Sequence, residues 1–135
     1  MEALHIEPIE PNYDTPKIYF DPEVDLYVIE GKSLPENAIG FYQPVFDWTN
    51  KFLYSKEAPS HFVLNFKLDY FNTASSKQIA KLLLILETCP ISDNVLIKWY
   101  YDKEDTDMLK AATRYSKLIK LKFEFHVNDS EPNNN

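Results

Sequence analysis

Phe62-Val-Leu-Asn-Phe-Lys-Leu-Asp-Tyr-Phe71, running on into Asn72-Thr-Ala-Ser-Ser-Lys-Gln-Ile-Ala-Lys-Leu-Leu-Leu-Ile-Leu86, decides the architecture. In the first half Phe62, Leu64, Phe66, Leu68 and Tyr70 alternate with Val63, Asn65, Lys67 and Asp69. A period of two predicts a strand with one buried face and one mostly polar face. After Asn72 the period changes. Ile79, Leu82, Leu83 and Leu86 recur at helical spacing, and Thr73-Ala-Ser-Ser76 opens the predicted helix. Pro90 stops it, because proline lacks the backbone donor a helix needs.

The same alternation repeats downstream. Val95–Tyr101 is dense in β-branched and aromatic residues and reads as a strand. Asp102-Lys-Glu-Asp-Thr-Asp107 leads into a third helix with Met108, Leu109, Ala112, Tyr115, Ser116 and Ile119 inward, and Phe123, Phe125 and Val127 mark a last strand. Upstream, residues 1–16 hold Pro8, Pro11 and Pro16 and read as an extended lead-in. Lys17–Phe20 and Val24–Glu30 read as a hairpin turning at Asp21-Pro-Glu23 and closed by Gly31-Lys-Ser33. Ser33-Leu-Pro-Glu36 looks like a helix start, with Ala38, Phe41, Tyr42, Val45, Trp48, Thr49 and Phe52 inward and a kink or break near Gln43 caused by Pro44. The expectation is an α/β fold: one domain over 1–127, a mixed sheet of about five strands with three main helices in the order ββαβαβαβ, and a disordered polar tail over 128–135.

Composition excludes much. The 135 residues include only two glycines, Gly31 and Gly40, where about nine would be usual. Glycine-rich nucleotide cradles cannot be built from them. Fourteen Lys and Arg stand against 21 Asp and Glu, a net charge of −7, which argues against a nucleic-acid binder. The single Cys89 forms no internal disulfide. Met1–Pro8 has neither the basic region nor the apolar run of a signal peptide, and the longest apolar run, Leu82–Leu86, falls far short of the ~20 residues of a membrane span. A soluble, cytoplasmic protein without membrane insertion is expected.

Loops after successive parallel strands share one sheet edge, where ligand and partner sites gather. Two such loops stand out. Tyr70–Lys77 puts Thr73, Ser75 and Ser76 at a helix start. The bland reading is N-capping, worth roughly 1 kcal/mol. The sharper one is phosphorylation, which would bring about −1.5 to −2 charges to the positive end of the helix, with Lys77 one turn on as a neutralising cation. Tyr101–Asp107 carries Asp102, Glu104, Asp105 and Asp107. It reads as a solvated acidic helix start, as a hard-cation site or as a docking patch; the calcium-loop spacing and its central glycine are missing. Carboxylates there would repel a phosphate on Thr73 if the loops are neighbours. His5, His61 and His126 are scattered, and no paired-His metal motif, nucleophile elbow or P-loop is present.

Four short stretches, in order, resemble the SiaC family of bacterial regulatory phosphoproteins: Thr15-Pro-Lys-Ile with Phe20-Asp-Pro-Glu23; Gly31-Lys-Ser-Leu-Pro-Glu-Asn-Ala38; Asp69-Tyr-Phe-Asn-Thr-Ala-Ser-Ser-Lys77; and Trp99-Tyr-Tyr-Asp102 with Asp105-Thr-Asp-Met108. The resemblance spans about Leu4 to Phe125. It implies a fold similar to anti-sigma-factor-antagonist (STAS-like) domains and a non-enzymatic, partner-switching role without a cofactor. A cognate kinase of the histidine-kinase-like ATPase type would phosphorylate the threonine after the central strand, here Thr73, and a PP2C-type phosphatase would reverse it. The unmodified form would bind a target, in the best-known case a diguanylate cyclase. Ala74 stands where many members have serine, and Asn72 where antagonist domains often have aspartate. Asn72, Ser75, Ser76 and Lys77 would shape the site. Pro35, Glu36, Asn37, Tyr101, Asp102, Asp105 and Asp107 are the candidate partner surface. The residues themselves leave open whether Thr73, Ser75 or Ser76 is the acceptor. They also leave open a small acidic-loop metal-binding domain or enzyme, and an interaction module that is never phosphorylated.

Overall fold

The computed structural model describes residues 1–129. Its elements are β1 (Leu4–Ile6), β2 (Lys17–Asp21), β3 (Leu26–Ser33), α1 (Ala38–Leu53), β4 (Phe62–Phe71), α2 (Thr73–Thr88), β5 (Val95–Tyr101), α3 (Thr106–Leu118) and β6 (Lys122–Val127), with a short 3-10 turn at Ser92–Asn94 before β5. The six strands form one sheet in chain order, β1-β2-β3-β4-β5-β6. The β1/β2 and β2/β3 pairs are antiparallel; β3 through β6 run parallel. The mixed α/β sheet and its three helices are those the sequence predicts, with one strand more.

The extra strand lies in the proline-rich lead-in. Leu4 and Ile6 pack on the core and pair with Phe20 and Ile18, so apolar anchoring makes a strand ahead of the first proline, Pro8. The hairpin turns at Asp21, whose Oδ1 accepts from Glu23 N at 3.0 Å, and passes Asp25 at φ 53°. Its second strand does not close at Gly31 but continues to Ser33. Gly31 takes φ 100° at a bulge against β4, a backbone shape only glycine adopts without strain.

Parallel neighbours joined in chain order by right-handed crossovers put all three helices on one face of the sheet. That face holds the core. Phe62, Leu64, Phe66 and Leu68 of β4, Val95, Ile97 and Trp99 of β5, and Ile79, Leu82, Leu83 and Leu86 of α2 are all buried. Trp99 stacks on Phe66 at 4.4 Å, and Tyr27 meets Phe62 at 4.3 Å. The opposite face is polar: Lys67 lies over the Tyr100 ring at 4.9 Å, and Tyr100 stacks on His126. At the β6 edge, Phe125 and Val127 sit on the helix side by register but are 38% and 48% exposed.

Two helix expectations need correction. α1 starts not at Ser33 but after Asn37, whose Oδ1 accepts from Gly40 N at 3.1 Å. Gly40 leaves room for this cap; a Cβ there would lie 2.6 Å from Asn37 Nδ2. Pro44 does not break the helix, which runs unbroken to Leu53. Gly40 and Pro44 are both exposed, so the carbonyl that lost its donor faces water. At the other end, Asn128 is tied in: its backbone N–H donates to Tyr101 O at 2.8 Å and its Nδ2 to Asp102 Oδ1 at 2.8 Å. Of the predicted tail, residues 130–135 lie outside the described residues.

Candidate functional site

The parallel half of the sheet delivers three helix-opening loops to one edge: those after β3, β4 and β5. The last two meet in a groove of about 310 Å³ lined by Asp69, Tyr70, Thr73, Ser76, Asp105, Asp107 and Arg114, with Phe71, Asn72, Met108 and Ala111 around them. The loops singled out in the sequence are therefore neighbours.

Each hydroxyl of the α2 start has a different setting. Asn72, not a hydroxyl, is the N-cap: its Oδ1 accepts from Ser75 N at 2.9 Å. Thr73 is the first helical residue, exposed and facing the groove. Ser75 is completely buried. Ser33 Oγ donates to Ser75 Oγ at 2.8 Å, and Ser75 Oγ donates back to Ser33 O at 2.9 Å. Ser33 Oγ and the Tyr42 hydroxyl are 2.7 Å apart. Since the Ser33 proton goes to Ser75, Tyr42 must donate to Ser33 Oγ. This closed chain of hydroxyls fixes the start of α2 to the end of β3 and to α1. Burial pushes the Tyr42 hydroxyl up to about 12, so it remains a donor at neutral pH.

Ser76 Oγ donates to Thr73 O at 2.7 Å, and Ser76 O accepts from the Tyr115 hydroxyl at 2.7 Å. That second bond holds α3 against the first turn of α2. Burial raises the Tyr115 hydroxyl to about 12 as well. Lys77 is exposed and does not line the groove. The cation that does is Arg114, the only arginine in the chain. Sequence reading passed over it; the available signal was its place beside the inward-facing Tyr115.

The acidic loop divides. Asp105 caps α3, its Oδ1 accepting from Met108 N at 3.0 Å, and lines the groove with Asp107. Tyr101 is half-buried against the core, and Asp102 holds Asn128; neither lines the groove. Among the described residues, no group of three or more His, Cys, Asp or Glu side chains is placed to hold a metal ion. Pro35 is buried, whereas Glu36 and Asn37 are exposed; all three line a separate cavity of about 510 Å³ with Ile9, Asp14 and Phe41. Burial raises the Cys89 thiol pKa at the end of α2, a poor setting for a nucleophile. No described helix is long and apolar enough to cross a membrane.

Sheet, loop edge and sequence together place the chain among bacterial regulatory phosphoproteins. It belongs to the SiaC family: that family's sequence model, SiaC family regulatory phosphoprotein, matches residues 9–128. The crystal structure of apo-SiaC from Pseudomonas aeruginosa is similar at 26% identity and a TM-score of 0.79, covering 93% of this chain and 99% of that one. A second SiaC structure from the same organism matches at 26% identity and a TM-score of 0.79, over 95% of this chain and 100% of that one. The crystal structure of the diguanylate cyclase SiaD in complex with its activator SiaC, also from Pseudomonas aeruginosa, contains a chain similar at 26% identity and a TM-score of 0.80, covering 93% of this chain and 99% of that one. No curated protein matches the chain.

Proposed function

We propose that this chain is a non-enzymatic phospho-switch. Reversible phosphorylation of Thr73 controls its binding to a target of the diguanylate cyclase class. One observation carries the choice of acceptor. Thr73 is exposed at the groove, while Ser75 is completely buried with its proton engaged. A kinase reaches the first without disturbing the fold and the second only by opening it. The SiaD complex supports the choice of target, because the relative in it is named as the cyclase's activator. The family resemblance supports a histidine-kinase-like ATPase as the kinase and a PP2C-type enzyme as the phosphatase. Asp105 and Asp107 share the groove with Thr73, so added phosphate meets like charge and changes both loops as a partner sees them.

The test is to incubate the chain with its cognate kinase and ATP, map the phosphate by mass spectrometry, and measure cyclase binding and activation with both forms. Stoichiometric phosphate on Thr73, with target binding lost on modification, is the expected result. Phosphate on another residue, or equal activation by both forms, refutes it.

A further inference from the structure

The groove around Thr73 holds one guanidinium, and among the described residues that group has no salt-bridge partner. The salt bridges among the described residues are Met1–Glu57, His5–Glu7 and His126–Glu124; none involves Arg114. Its neighbour Tyr115 is fastened to Ser76 O, so the α3 backbone that carries Arg114 is held against the first turn of α2, where Thr73 stands. The other charges of the groove are all negative: Asp69 from β4, Asp105 before α3 and Asp107 in its first turn. Lys77 on α2 lies outside it. The free first-turn donors are also few, since Ser75 N is taken by Asn72 Oδ1 and Ser76 N by Asn72 O. A phosphate on Thr73 would therefore face three carboxylates and a single cation.

Resting on the reading of Thr73 as the acceptor, we infer that Arg114 is the internal receptor for that phosphate. The guanidinium fork matches two phosphate oxygens, which an ammonium cannot do with the same geometry. Pairing draws the modified side chain across the groove toward α3 instead of leaving it in solvent. Modification then has two consequences at the target-facing edge: it adds negative charge, and it withdraws the one positive group the groove offers a partner.

The test installs phosphothreonine at position 73 by genetic encoding, without any kinase, and follows its second ionisation by phosphorus NMR in the full chain. That ionisation ordinarily falls near pH 6. In the parent protein it is expected about half a unit or more below its value in Arg114→Gln, because a nearby cation favours the dianion. Arg114→Lys recovers part of the shift, and Lys77→Gln moves it less than Arg114→Gln does. Arg114 is exposed, and retained amide dispersion in each variant confirms the fold. Equal ionisation in the parent and Arg114→Gln overturns the inference, as does a larger effect from Lys77→Gln. Because the phosphate is placed synthetically, a cognate kinase that modifies another residue would refute the choice of Thr73 without altering this titration.

Discussion

Replacing Ser33 with alanine tests the buried hydroxyl chain that sets the position of α2. Ser33, Tyr42 and Ser75 are all completely buried. Without Ser33 Oγ, the Tyr42 hydroxyl loses its acceptor at 2.7 Å and Ser75 Oγ loses an incoming bond at 2.8 Å, while Ser75 still donates to Ser33 O. The dominant cost is one buried donor left unpaired, about 2 kcal/mol within a range of about 1–3. Tyr42→Phe leaves only an acceptor lone pair unfilled and costs about 1 kcal/mol. The double variant removes both partners of that bond and leaves no donor unpaired, so it costs about 1 kcal/mol rather than the roughly 3 that addition gives, a coupling of about 2 kcal/mol. Urea unfolding reads these differences as shifts in midpoint at constant slope. In thermal unfolding Ser33→Ala should lower Tm by roughly 6–10 °C for a chain of this size. A Ser33→Ala variant as stable as the parent, or strictly additive costs in the cycle, would refute the hydrogen-bond assignment.

Further outcomes follow from other details. Asn72→Ala removes the α2 cap and should lower stability by about 1 kcal/mol, whereas Asn72→Asp keeps it, as thermal melts will show. Gly40→Ala ordinarily stabilises a helix by about 1 kcal/mol, but here the new Cβ displaces Asn37; little net change is expected alone, and the full gain only in an Asn37→Ala background, measured by chemical denaturation. Burial raises Tyr27, Tyr42 and Tyr115 to about 12. The folded state therefore holds protons that the unfolded state releases near pH 10, so stability is complete below pH ~10 and falls as pH rises toward ~12, with tyrosinate absorbance appearing together with unfolding. Thr73→Asp should weaken binding of a target that needs the unmodified form, though less than phosphate does because aspartate carries one charge, and calorimetry against the proposed cyclase target decides it.

What could be read from sequence follows the strength of periodicity. Alternation from Phe62 to Tyr70 yielded β4, though the register shift past Leu68 turns Tyr70 out to solvent and Phe71 onto the core, and Ile79, Leu82, Leu83 and Leu86 yielded the buried face of α2. β1 was hidden because three residues ahead of Pro8 are too few to carry a period; only its pairing with β2 makes it a strand. Ser33 read as a cap because serine beside Leu-Pro-Glu suits a helix start. The bulge at Gly31 instead carries β3 on, bringing Ser33 to a buried partner 42 residues away. The two site loops were readable because parallel crossovers oblige them to share an edge. Arg114 was not, because a single exposed cation on a helix acquires meaning only from what stands opposite it.

The strand order carries a consequence for how the molecule is made. Every pairing in the sheet joins strands consecutive in the chain, and no strand is inserted later between two that already lie side by side. As synthesis proceeds from Leu4 to Val127, each new strand can dock on the existing edge and its crossover helix can cover the fresh apolar surface behind it. Assembly is then an accretion from one side with no gap held open for a distant partner: the β2–β3 hairpin closes over a short turn, whereas each parallel addition waits for its crossover helix and is the slower, more exposed step.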